Sequence, residues 1–223
     1  MGQLTYLLDE ICAGIEIYYT GRTGGQYLKT AFILCDDYNE LTSKLFLLTD
    51  DRTWSDTKSK GRFKNYHDIQ SDVKAVFRAR RASELKLVER IHNDMATRRT
   101  RRNDFFHSTH LLDLSVTQRI CVEAFCDLLD YGKLLFGENW TTELCSARNM
   151  ETMSILLLLE KKSFGDPAIT PKVNEILARW PRNTISAPPK KGVHVTSHPE
   201  DLHLRLCVVG GGQDLKEKLK TLL

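Results

Sequence analysis

The stretch Tyr27-Leu28-Lys29-Thr30-Ala31-Phe32-Ile33-Leu34-Cys35-Asp36-Asp37-Tyr38, running on to Leu48, decides the fold class. Tyr27, Ala31, Leu34, Tyr38, Leu41, Leu45 and Leu48 recur in alternating steps of four and three, the spacing that lines one side of an α-helix. Upstream, Leu4, Leu7, Leu8, Ile11, Ile15 and Tyr18 predict another amphipathic helix over residues 3–19. Gly21, Gly24 and Gly25 interrupt the two patterns, and a short glycine-rich link between long helices predicts an antiparallel hairpin.

Downstream, residues 49–64 are polar and read as an exposed loop. A third helix is expected from about Asp68 to Arg98, burying Ile69, Val73, Val76, Phe77, Leu87, Val88, Ile91 and Met95. Arg80 and Glu84 fall where its stripe should continue, which predicts a bend there, and an end or second bend is expected between Thr97 and Asn103. Ser115 and Gln118 have capping-box spacing for a fourth helix, with Val116, Ile120, Ala124, Leu128, Tyr131 and Leu135 on its buried side. Gly137 is placed to end it. Four such helices with mostly short links make a mainly α fold, an antiparallel helical bundle over residues 1–140.

After Gly137 the pattern changes. Helices are expected at Asn149–Lys161 and Pro171–Trp180, and Pro181, Pro188 and Pro189 mark turns or a linker. Val193 and Val195, then Leu202, Leu204, Leu206 and Val208, alternate as strands do, so His198–Asp201 reads as the turn of a hairpin. A terminal helix follows Gly210–Gly212. Residues 141–223 therefore read as a small α+β appendage of two helices, a hairpin and a terminal helix, similar to a winged helix.

The 223 residues are 41% hydrophobic and 27% charged, enough apolar surface for a core. A net charge of +3 is too mild to argue for a polyanionic partner, but the charge is uneven: between Arg78 and Arg102 nine Arg or Lys stand against three acidic residues. Such a local basic surface is a physical reason to expect a polyanion nearby. The six cysteines are dispersed, with no Cys-x-x-Cys pair, and read as buried small hydrophobes. Asp9 and Glu10 interrupt any signal-peptide pattern, and the longest apolar run, Ile155–Leu159, is too short to span a bilayer. A cytoplasmic protein without membrane contact is expected. His194, His198, His203 and Cys207 lack a compact ligand pair, so no metal site is expected. Gly210–Gly212 is not followed by Gly-Lys-Ser/Thr and is no phosphate loop.

The chemistry concentrates in Arg98-Arg99-Thr100-Arg101-Arg102-Asn103-Asp104-Phe105-Phe106-His107. Arginine keeps its charge at ordinary pH and histidine titrates near neutrality, so Arg102 and His107 suit a phosphodiester: one steadies negative charge, the other moves a proton. An earlier stretch, Arg62-Phe63-Lys64-Asn65-Tyr66-His67, has the same spacing. The later copy is preferred because Asn103 directly follows its arginine and it lies between core helices rather than in a polar loop.

The outline plus Arg102, Asn103 and His107 resembles the HEPN superfamily (higher eukaryotes and prokaryotes nucleotide-binding), whose nucleases carry an arginine, four to six residues and a histidine beside a late helix of an all-α bundle. The resemblance covers roughly residues 1–140. It implies metal-independent cleavage of RNA, without a cofactor, in a homodimer whose two motifs share a groove. In that scheme His107 moves protons, Arg102 stabilises the phosphoryl oxygens, Asn103 and Asp104 orient the pair, and Arg98, Arg99 and Arg101 hold RNA. The family setting is a toxin or antiviral-defence effector, neutralised by an antitoxin or regulatory protein. Ser108 and Thr109 stand where relatives paired with a nucleotidyltransferase carry a modified tyrosine two residues after the histidine, so that mode of control is not expected. The alternative from another class is a non-catalytic helical adaptor, or a DNA-binding regulator using the appendage.

Overall fold

The computed structural model of the chain describes residues 2–20, 25–58, 61–107, 116–146 and 150–179. Among these the chain is mainly α. In order come α1 (Gln3–Thr20), α2 (Gly25–Asp50), α3 (Tyr66–Arg80), a 3-10 turn (Ala82–Glu84), α4 (Leu85–His107), α5 (Gln118–Phe136), α6 (Glu138–Ser146), α7 (Met150–Ser163) and α8 (Thr170–Arg179). No helix among the described residues is long and apolar enough to cross a membrane. The expected hairpin and terminal helix lie outside the described residues.

The core has two apolar clusters joined through α2 and α5. One gathers Leu8, Ile11 and Ile15 of α1, Phe32 of α2, Phe125 and Leu128 of α5, and Met153 and Leu157 of α7. The other gathers Phe46 of α2, Ile69, Val73 and Phe77 of α3, Val88 and Met95 of α4, and Tyr131 and Leu135 of α5. Helix α7, expected in the appendage, contributes Met153 and Leu156 to the first cluster, and α6, a helix not expected from the sequence, contributes Trp140. Close approach explains two glycines. A Cβ on Gly14 would come within 2.7 Å of the Tyr38 ring, and one on Gly132 would strike the buried Trp140 ring.

Several expectations are corrected. The single helix from Asp68 to Arg98 is two helices, because the chain breaks at Arg81 and turns through Ala82–Glu84. Arg81 secures the break: its guanidinium pairs with Glu84 and lies 4.5 Å over the Phe77 ring. Helix α4 does not end near Asn103 but runs on to His107. The cap of α5 is Thr117, whose hydroxyl accepts from the Ile120 amide, rather than Ser115. Gly137 does end α5, with φ of 58°. The buried side of α2 also differs from the stripe read in the sequence. Tyr27, Leu41 and Leu48 are exposed, while Asp36, Asn39, Thr42 and Ser43 are buried.

Of these, Ser43 belongs to a buried chain of hydrogen bonds. Ser43 Oγ donates to the Asn39 carbonyl at 3.0 Å and meets Tyr131 Oη at 2.9 Å, and Tyr131 Oη meets His92 Nε2 at 2.9 Å. Each hydroxyl has one proton, so Tyr131 donates to Ser43 and His92 donates through Nε2–H to Tyr131. The chain of bonds ties the middle of α4 to α5 and α2.

Burial depresses His92 from 6.5 to about 4. The unfolded chain therefore protonates first, and the stability that neutral His92 supplies is present above pH 6.5 and lost as pH falls toward 4. The full loss is about 3 kcal/mol. Asp36, raised to about 6, contributes the opposite slope over much of this interval, so the His92 contribution is expected in the difference between wild type and His92→Gln, measured by urea unfolding from pH 4 to 6.5. Tyr131→Phe, which leaves Ser43 and His92 without their partner, is expected to cost about 1–3 kcal/mol at neutral pH.

Candidate functional site at the end of α4

The arginine run occupies the last three turns of α4, and helical spacing sends its members in different directions. Arg98 pairs with Asp127 of α5, which also receives Lys161 of α7 at 3.4 Å. Arg99 and Arg102, three residues apart, share a side and face α2. Arg99 lies 2.9 Å from Glu40 and 3.3 Å from Asp36, with its guanidinium 4.2 Å over the Tyr66 ring. Arg102 donates to Asp37 at 3.0 Å and to the Asn103 amide oxygen at 3.2 Å, and lies 3.7 Å from Asp36. Arg101 is half-buried and Asp104 is exposed.

Asp36 is the unusual member. It is 3% exposed, and neither carboxylate oxygen has a hydrogen-bond donor among the described residues, since its arginines stand at ion-pair distance only. Burial pushes its carboxyl up to about 6, against the opposing pull of Arg99 and Arg102, with Asp37 and Glu40 adding to the rise. A buried carboxylate without close donors favours its neutral form, and two nearby cations limit how far.

Spacing along α4 separates the motif's two ends. Positions 102 and 107 stand about 140° apart around an ideal helix, whereas 103 and 107 are successive turns of one side. The side chains of Phe105, Phe106 and His107, and all of residues 108–115, lie outside the described residues. The side of α4 that carries Ala96, Arg99, Thr100 and Asn103 lines an open cavity of about 470 Å³. Its opposite wall is the run Lys64, Asn65, Tyr66 and His67 at the start of α3, and Glu40 of α2 forms another part.

The structure thus brings parts of both stretches to one cavity, Lys64, Asn65, Tyr66 and His67 of the earlier and Asn103 of the later. His67 does not sit in a polar loop. It belongs to the first turn of α3, which Asn65 and Asp68 hold by a reciprocal capping box. The described residues 51–58 and 61–65 are also tied down. Thr57 and Phe63 form a β-bridge, and Asp72 receives both Trp54 Nε1 at 2.9 Å and Lys64 Nζ at 2.8 Å. Sequence reading missed Asp36, Asp37, Glu40, Lys64 and His67. The available signals were an acidic pair inside an apolar helix and the repeated arginine–histidine spacing.

Among the described residues no three His, Cys, Asp or Glu side chains are grouped to hold a metal ion. Cys12, Cys35, Cys121 and Cys126 are buried and unbridged, and burial pushes their thiols up, those of Cys12, Cys121 and Cys126 to about 12. No family model, curated protein or solved structure matches the chain at a significant level.

Carbon-detected NMR of the carboxyl groups is expected to find Asp36 titrating near pH 6. Arg99→Gln removes the stronger of the two opposing cations and should move the midpoint higher. A midpoint near the ordinary 3.8, or a downward move in the variant, would contradict the burial of an undonated carboxyl.

Proposed function

We propose that the chain is a metal-independent endoribonuclease of the HEPN type, acting as a toxin or antiviral-defence effector, with Arg102 and His107 as its catalytic pair. The observation that carries this reading is the cavity of about 470 Å³ beside the end of α4, which Arg99, Thr100 and Asn103 of the motif stretch line. Position 107 is the next turn of that same helix side. Asp36 and Asp37 hold the Arg102 guanidinium in one orientation. A preoriented charge stabilises a transition state without reorganising during reaction.

In this scheme neutral His107 takes the proton from a ribose 2′-hydroxyl. The 2′-oxygen then bonds to phosphorus as the bond from phosphorus to the 5′-oxygen breaks. A protonated imidazole returns a proton to the departing 5′-oxygen. Arg102 meets the added charge on the phosphoryl oxygens, Asn103 steadies Arg102, and Asp104 orients a histidine ring. Arg98, Arg99 and Arg101 supply the positive surroundings for RNA. A homodimer would contribute a second histidine. The exposed Tyr27, Leu41 and Leu48 of α2, spaced in multiples of seven with half-buried Leu34 between the first two, offer an apolar seam for that second copy.

One observation favours a second reading. Arg98, Arg99 and Arg102 all meet carboxylates within the bundle, as in a structural clasp of a non-catalytic helical adaptor. The two readings part in a simple assay of total RNA incubated with the purified chain in EDTA. The nuclease reading expects cleavage, reduced ~100- to 10,000-fold by His107→Ala. Arg102→Ala is expected to lower it about 100- to 1,000-fold at a stability cost of about 1–3 kcal/mol, since buried Asp36 then keeps only Arg99 beside it. Absence of cleavage by the wild-type chain, or equal cleavage by His107→Ala, contradicts the nuclease reading and leaves the adaptor.

A further inference from the structure

We infer that the cavity between the start of α3 and the last turns of α4 binds a single nucleotide of an RNA strand. Lys64 and Arg99 take its phosphate from opposite walls, and Asn103 and Glu40 meet its base. The choice of RNA rests on the ribonuclease reading; the binding itself does not.

Size comes first. About 470 Å³ lies within the range of small-ligand pockets, roughly 300–1,000 Å³, and suits one nucleotide rather than a protein side chain or a duplex. The cations are also held in place before any ligand arrives. Lys64 Nζ is fixed by Asp72 at 2.8 Å and lies 4.7 Å over the Trp54 ring. Arg99 is fixed by Glu40 at 2.9 Å and stacked over Tyr66 at 4.2 Å. Groups already ordered cost less entropy to engage a ligand.

The same carboxylates decide the class of ligand. Asp72 and Glu40 offset much of the positive charge, so the cavity does not hold bare phosphate by charge alone. What remains is a wall of mixed polarity: the Asn103 amide both donates and accepts, and the Glu40 carboxylate accepts only. A base edge presents that mixture of donors and acceptors, and phosphate alone does not. His67, exposed on the first turn of α3, stands on the cavity wall as a further donor or acceptor to the ribose-phosphate. It also serves as a reporter.

The test uses the full chain with carbon-13-labelled histidine, the His67 ring resonance being assigned with His67→Gln. Adenosine 3′-monophosphate and uridine 3′-monophosphate are titrated in turn, with uridine and inorganic phosphate as separate arms. At least one nucleotide is expected to shift the His67 signal saturably, and phosphate or uridine to bind about tenfold more weakly or worse. Lys64→Gln is expected to raise the Kd about tenfold. Asn103→Ala, which leaves the Lys64–Asp72–Trp54 contacts intact, should raise it several-fold, so a folding defect in the first variant cannot stand in for the result. No shift with either nucleotide, equal affinity for inorganic phosphate, or an unchanged Kd in both variants would overturn the proposal. A chain that cuts RNA yet binds neither nucleotide here overturns the pocket and leaves the nuclease reading intact. Nucleotide binding by a chain that cuts no RNA supports the pocket and removes that reading.

Discussion

A buried carboxyl set between two arginines is the constraint on which the candidate site depends. Asp36 is almost wholly out of solvent, with Arg99 and Arg102 at ion-pair distance and no closer donor. An ionised carboxylate in that position is costly unless opposite charge accompanies it, so α4 must run past α2 in the register that delivers both arginines. That register in turn sets Asn103 and Thr100 toward the start of α3. The buried chain from His92 through Tyr131 and Ser43 to the Asn39 carbonyl secures the same helix about two to three turns earlier. These polar contacts add to the apolar packing of Phe46, Val88, Met95 and Leu135 in setting how α2, α4 and α5 lie together.

This explains which features the sequence made legible. Helices α1 and α5 were readable because their buried sides are apolar and a glycine follows each. The limits of α7 and α8 were close to expectation for similar reasons. On α2 the periodic pattern was right in part, since Ala31 and Tyr38 are buried and Leu34 and Leu45 pack against the core. Its solvent face carries Tyr27, Leu41 and Leu48, and its buried face carries Asp36, Asn39, Thr42 and Ser43. A hydrophobicity pattern cannot see a polar residue whose partner lies sixty residues away. The gap at Arg80 and Glu84 was correctly suspicious, but only Arg81's contacts with Glu84 and Phe77 show that it is a break. Helix α6 went unread because nine residues, Glu138–Ser146, hold too few turns to establish a period.

The candidate site divides in the same way. Arg98 through His107 stood out because the residue types are chemically distinctive. Their surroundings did not, because Asp36, Asp37, Glu40 and His67 reach the site only through the fold. The arginine run, expected to present charge to RNA, is largely matched by carboxylates within the bundle. Positive charge that is matched but immobile is poor for long-range attraction and well suited to orienting a bound phosphate. On the proposed reading, recognition belongs to the walls of one cavity rather than to a broad basic surface.

The most direct measurement of the central claim is the chemistry of the cut ends. RNA incubated with the full chain in EDTA should yield fragments ending in 2′,3′-cyclic phosphate and beginning with 5′-hydroxyl, while DNA of the same sequence stays intact. Fragments with 3′-hydroxyl and 5′-phosphate ends, or equal cutting of DNA, would contradict attack by the 2′-hydroxyl and with it the roles given to Arg102 and His107.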